Sequence, residues 1–293
     1  MTAVADNVEV EARIIARTAR RLRHAGSLGV SGWIALGAFA AVVLIAAIGP
    51  LLVTTDPNAV SLSEAFQGPS AVHPLGTDAS GRDLLARLVF GGRTALIGPF
   101  LVVLCSTILG TALALTAVWF GGWFDQMVVR VIDAIFAFPG LLLAILATAL
   151  FGAGLPAAIA ALSIAYLPYI ARIVRSAALR ERNLPYVAAL RVQGVHGAWI
   201  SLRHILPNIA GLIVANATLA FGFALMDLAG LSFIGLGVQP PTADWGAMVG
   251  TGMGGILQGH PAEALYASAL IVITVAAVNV IGDRLNERSE VRA

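Results

Sequence analysis

Long apolar runs separated by short polar stretches dominate the chain. Residues 31–53 carry no charge, and a helix needs about 20 mostly apolar residues to cross a bilayer, so this run predicts a first span. The stretch 54–93 is polar and holds Pro57, Pro69 and Pro74, which break any helix. Residues 94–120 and 127–151 predict spans two and three, the latter with Arg130 and Asp133 at helical spacing for a local ion pair. Gly152, Gly154 and Pro156 mark a turn, and 156–173 predict span four. Residues 205–227 predict span five. The segment 228–262 is rich in Gly and Pro and predicts irregular or re-entrant backbone, which membranes tolerate only where protein or water covers it. Residues 263–281 predict span six.

The pattern organises the chain as an arm at 1–29, a first span at 30–54, an external loop at 55–92, a core bundle at 93–284 and a tail at 285–293. In the arm, Arg13, Arg17, Arg20, Arg21 and Arg23 stand among three acids, with Ile15, Ala19 and Leu22 at helical spacing. That pattern fits either a basic helix on an anionic membrane surface or a solvated arm that sets orientation. It is a poor secretory signal, because the charged region is long and a full span follows. Placing 1–30, 121–126, 174–204 and the tail inside leaves only Arg82, Arg87 and Arg93 of the eighteen arginines outside. That asymmetry predicts both termini on the cytoplasmic side.

Composition agrees. The chain is 58% hydrophobic and 12% charged, against about 25% charged in an ordinary soluble domain, so the expected class is an all-α polytopic membrane protein. A net charge of +2 gives no reason to expect a nucleic-acid partner. Cys105 is the single cysteine and lies in an apolar run, which excludes an internal disulfide. His73, His196, His204 and His260 fall on opposite sides of the expected topology, so no metal site is predicted. No G-x-x-x-x-G-K-[ST] loop, nucleophile elbow or HExxH motif occurs. The chain is expected to carry no catalytic residue and to bind no cofactor.

One polar stretch differs from the rest. Residues 175–207 hold five arginines against one acid. Asn183 is a candidate helix cap with Pro185 in the first turn. Tyr186, Ala189, Leu190 and Gln193 then share a face, and Gly194 ends the helix. A second helix is expected from about Ala198 to Pro207. The product is a compact knob lying across the membrane face.

The spacing from Gly194 through nine residues to His204-Ile205-Leu206-Pro207 resembles the EAA loop of permease subunits of binding-protein-dependent ABC importers. Ala188 stands where that loop has its glutamate, Leu190 where it has alanine, and Arg191 matches. The stretch from His73 to Arg93, HPLGTDASGRDLLARLVFGGR, resembles the signature of the C-type permeases for dipeptides, oligopeptides and nickel. LSFIGLGVQPPTADWG, from Leu231 to Gly246, and Arg130-x-x-Asp133 followed by Ala137-Phe138-Pro139 resemble two more blocks of that subfamily. Its glutamate before the LSF leucine falls on Leu228, with Asp227 one residue earlier.

The resemblance implies six spans and a coupling helix seated on an ATP-binding subunit, with Tyr186, Val187, Ala188, Ala189, Leu190, Arg191, Gly194 and Pro207 as coupling residues. It implies a B-type permease partner, two ATP-binding subunits that use ATP and Mg, an extracytoplasmic solute-binding protein and surrounding lipid, in a prokaryotic inner membrane. Thr77, Asp78, Gly81, Arg82 and Asp83 would form an external gate or an ordinary turn and cap; their spacing does not suit a calcium loop. Asp133 and Asp227 are the pathway candidates. The expected cargo is a dipeptide or oligopeptide, with nickel or another small solute as the alternative. A channel or proton-coupled carrier, titrating at Asp133 and Asp227, is the rival class.

Overall fold

The computed structural model describes residues 29–292, with side chains as far as Arg288. The arm at 1–29 therefore lies, except for Gly29, outside the described residues. The helices are α1 (Gly29–Leu52), α2 (Leu84–Phe120), α3 (Gly122–Phe136), α4 (Gly140–Phe151), α5 (Leu155–Arg182), α6 (Pro185–Val192), α7 (Gly197–Ile200), α8 (Leu206–Phe233), α9 (Trp245–Leu257) and α10 (Ala262–Arg292). The π-turn Ser201–Ile205 carries α7 into α8, and a 3-10 turn, Leu62–Glu64, lies in the long loop. Among the described residues no strand forms beyond a single bridge between Thr77 and Asp83.

Among the described residues five helices are long and apolar enough to cross a membrane: α1, α2, α5, α10 and the continuous Gly197–Phe233. The pair α3 and α4 makes a sixth if counted as one span. The protein is thus an all-α polytopic membrane protein. The stretch expected as a straight third span is two helices, α3 and α4, bent by 78° at their junction. Pro139 is the cause, because it offers no N–H and drives Phe138 out of helical geometry.

Several boundaries also differ from the sequence reading. Span two starts at Leu84, inside the stretch assigned to the external loop, because Asp83 caps it there through a bond from Ala86 N to Oδ1 (2.7 Å). Span four runs on to Arg182, and the tail continues α10 as helix. The segment 228–262 holds a real helix, α9, between irregular joints. Pro207 does not end a helix: the missing N–H falls in the first turn after the π-turn, and the helix passes through.

Close approaches fix how the helices pack. A Cβ at Gly222 would lie 2.7 Å from Asn279 Oδ1, and one at Gly282 would lie 2.6 Å from Leu219 Cδ2, so α8 and α10 run antiparallel with little between them. One core joins Val102, Leu162, Ala224, Leu228 and Leu231 from α2, α5 and α8. A second joins Leu115, Val118, Ile170 and Val174 to the knob. The knob lies at one end of the bundle, and α9 with the folded external loop at the other. Arg284 Nη2 donates to Ser31 Oγ at 3.1 Å, which brings the start of α1 and the end of α10 together at the knob's end.

Candidate coupling knob and external block

At the knob, Val187 is fully buried, as is Ile200, and Ile205 is 1% exposed. These three side chains root α6, α7 and the π-turn in the core, each burial contributing roughly 1.5–3 kcal/mol. Leu184, not Asn183, is the N-cap of α6; Asn183 closes α5. The inward set is Tyr186, Val187 and Leu190, whereas Ala189 and Gln193 are exposed. Ala188, Ala189, Val192 and Arg191 form the outer surface, continued by Trp199 and Leu202. At the end of α6, Gly194 has φ +78°. Gly194 N donates to Arg191 O (3.0 Å) and Val195 N to Leu190 O (3.1 Å), the paired bonds of a Schellman stop.

The knob rests on Trp119, the penultimate residue of α2. Arg191 stacks over its ring at 4.9 Å and Arg182 at 5.8 Å, while Arg182 Nη1 also donates to Val118 O. Gly197 sits directly on the indole, where any Cβ would overlap it. Glu181, on the last turn of α5, ties three helices through one oxygen. Its Oε1 accepts from Tyr186 Oη (2.7 Å) and from Asn208 Nδ2 (2.7 Å). Burial, then the Glu181 carboxylate, push the Tyr186 phenol up to about 12. Sequence reasoning missed Glu181 and Trp119; the signal was an isolated acid among arginines and an aromatic at a span end.

The external block is a knot around Asp78. Its carboxylate accepts from Arg82 Nε (2.6 Å), Arg82 N (3.0 Å) and Ser80 N (2.8 Å), with Arg87 Nε 3.7 Å away. Asp83 caps α2 with one oxygen and takes a bond from His73 Nδ1 (2.8 Å) on the other. Thr77 Oγ1 donates to Glu64 O (2.5 Å) and accepts from Gln67 N (2.9 Å). Gly81 has φ +73°, and a Cβ there would lie 1.8 Å from Ser61 O. The turn-and-cap reading of these residues is therefore what the geometry displays.

The LSF–DWG block seats α9 on α2 and α8. Asp244 caps α9 through Ala247 N (3.1 Å), and burial raises its carboxyl above the usual range. Trp245 Nε1 donates to Leu88 O at 2.8 Å. A Cβ at Gly246 would meet Ala229 O at 2.4 Å.

The pathway candidates lie apart. Asp133 pairs with Arg172 of α5 (2.6 Å) rather than with Arg130, and Arg172 also covers the Phe136 ring at 4.5 Å. Arg175 grips Asp125 with two bonds, 2.6 and 2.5 Å. Asp227 lies within α8, not at its end, half-buried, and accepts from Tyr166 Oη at 2.9 Å. Leu228 next to it is 5% exposed and faces the core. The one-residue offset turns a helical side chain by about 100°, so these neighbours serve different faces. One turn along α5, Tyr169 Oη donates to Asn216 Oδ1 (3.1 Å).

A helical membrane bundle with a rooted knob at one end and a hydrogen-bonded block at the other has the form of a membrane transport subunit. Comparison agrees: residues 106–293 match the family model "Binding-protein-dependent transport system inner membrane component". The chain belongs to that family. It is 37% identical over 260 residues to the dipeptide transport system permease protein DppC of Alkalihalophilus pseudofirmus, covering 89% of this chain and 84% of that one. It is 38% identical over 274 residues to a putative peptide transport system permease protein of Brucella suis, covering 92% and 89%. It is 38% identical over 221 residues to the glutathione transport system permease protein GsiD of Pectobacterium atrosepticum, covering 75% and 73%. A solved structure of the MetNI methionine ABC transporter, in inward-facing conformations, matches 69% of this chain and 96% of its own. Its TM-score is 0.56 at 20% identity, a likeness of fold.

Proposed function

We propose that this chain is one of two permease subunits of an ATP-driven ABC importer for dipeptides or oligopeptides. A B-type permease would complete the passage, two ATP-binding subunits would use ATP and Mg, and an extracytoplasmic binding protein would deliver cargo. The observation that carries the reading is the knob. Its inner side chains are rooted in the core, while Ala188, Ala189, Val192 and Leu202 present an uncovered, mostly apolar surface suited to a cleft in another protein. The excess of arginine at that end supports a cytoplasmic knob and cytoplasmic termini. The names of the relatives support peptide cargo.

In this scheme ATP binding closes the motor subunits and moves the two permeases' knobs as rigid bodies. The bundle then rocks from inward-open to outward-open, a two-state transition. The stretches 54–92 and 232–262 receive the binding protein, with the Asp78–Arg82–Asp83 turn and cap holding the first of them in shape. Asp227, bonded to Tyr166, and Asp133, paired with Arg172, are the intramembrane acids we assign to the border of the passage, where such groups are usually found.

The test is uptake of labelled peptide into vesicles holding both permeases, with and without the ATPase subunits. Uptake is expected only with the ATPases and ATP, and it survives Asp227→Asn at reduced rate. Uptake that persists without them, and is abolished by Asp227→Asn, would instead establish a proton-coupled carrier.

A further inference from the structure

A cavity of about 300 Å³ opens between α1, α2 and α10, in the half of the bundle that carries the external block. Val42 and Ala46 of α1, Leu88 and Gly92 of α2, and Tyr266 and Leu270 of α10 line it, and Trp245 closes one wall. The indole N–H is already bonded to Leu88 O, so Trp245 presents only its ring. The lining is almost wholly hydrocarbon. Water needs two to four polar partners to occupy such a space, and a peptide would bury its amides there unpaired.

A cation stands at the edge of this slot. Arg93 Nε donates to Ala46 O (3.0 Å) and Nη2 to Ala47 O (2.9 Å), and the side chain is exposed. Ala46 and Gly92, the neighbours of this contact, both line the cavity. The apolar window of α1 is only 17% buried within this chain, which leaves the slot open sideways along that helix. A hydrocarbon slot beside a fixed, exposed guanidinium is complementary to a molecule with an acyl chain and a phosphate.

We propose that this groove is a site for one phospholipid of the outer leaflet, with an acyl chain between α1 and α10 and its phosphate on Arg93. The lipid packs α1 against the rest of the bundle. Cargo identity plays no part in this assignment, so it stands or falls apart from the importer reading.

The assembled transporter, purified with its partner subunits, is carried through detergent exchange, and the phospholipid retained is counted by native mass spectrometry. One phospholipid is expected to remain at this chain. Ala269→Phe, at an exposed position on the mouth of the slot, and Arg93→Gln are each expected to lose it. In nanodiscs of phosphatidylcholine and phosphatidylglycerol with brominated acyl chains, Trp245 emission is expected to be lost. It is read as the difference between the wild type and Trp245→Phe. Equal lipid retention in both slot variants overturns the proposal. So does an unquenched Trp245 in the assembled transporter, which would mean that a partner subunit's helix fills the groove.

Discussion

Arg93 donates through Nε to the carbonyl oxygen of Ala46 at 3.0 Å, and that oxygen is the one Pro50 leaves without a helical partner. An N–H at position 50 would have closed the bond to Ala46; the proline removes it, and a guanidinium from the next helix supplies a donor. Arg93→Met is expected to destabilise the protein by about 1–3 kcal/mol, the range for a charged hydrogen bond whose loss orphans a carbonyl. In a Pro50→Ala background the same change should cost less, because the helix supplies its own donor. A double-mutant cycle by equilibrium unfolding in detergent reads the coupling; strict additivity would refute the link.

Tyr186 offers a pH test. Its phenol is pushed up to about 12 by burial and by Glu181, from an ordinary value near 10. The folded pKa is raised, so the stability tied to the neutral phenol is complete below about pH 10 and is lost as pH rises through about 12. Ultraviolet titration of the wild type minus Tyr186→Phe should show one phenol ionising late. Glu181→Gln should bring it down, and an unmoved titration would mean the bond is absent in solution.

Gly197 cannot bear a side chain while Trp119 lies beneath it. Gly197→Ala is expected to cost about 1–3 kcal/mol as an overpacked contact and to uncouple ATP hydrolysis from uptake. Adding Trp119→Leu should restore part of the stability. Thermal unfolding of the three variants distinguishes this steric cause from loss of a surface contact.

Ala188 is exposed, so Ala188→Glu should leave stability within about 0.5 kcal/mol. Co-purification of the ATP-binding subunits is expected to stay intact or tighten. Weakened co-purification would mean that α6 presents a different face to its partner.

In the external block, Gly81 and Gly68 make a matched pair. Gly81→Ala meets both a left-handed backbone and the Ser61 carbonyl, whereas a Cβ at Gly68 meets nothing within 4 Å. Limited proteolysis in the 54–83 stretch should rise sharply for Gly81→Ala and stay at the wild-type level for Gly68→Ala.

The spans and the knob were legible because they depend on runs of like residues, and a run of apolar positions has few ways to sit in a bilayer. Gly194 was readable for a similar local reason, a glycine at the end of a short amphipathic turn. The broken third span was hidden because residues on both sides of Pro139 are apolar, and hydropathy does not see a missing N–H. The start of α2 was hidden by its own cap: Asp83 reads as loop until its carboxylate is seen on Ala86 N. Asp133 was matched to Arg130 by local spacing, yet Arg172, distant in sequence, reaches it from α5. Partners contributed by another helix leave no local pattern, and the same holds for Glu181 with Asn208 and for Tyr166 with Asp227.

The unbroken path from Gly197 to Phe233 has a mechanical meaning. At 37 residues and about 1.5 Å per residue it is a lever roughly 55 Å long. Its short arm is the knob, and its far end carries the seat of α9 at Ala229. A tilt of only about 5° at the knob displaces that far end by about 5 Å for a rod of this length. Strain applied by a partner on one side of the membrane thus travels to the other along one helical path that bends most readily at the π-turn Ser201–Ile205, and the glycine contact at Gly246 is where it must be absorbed or passed on.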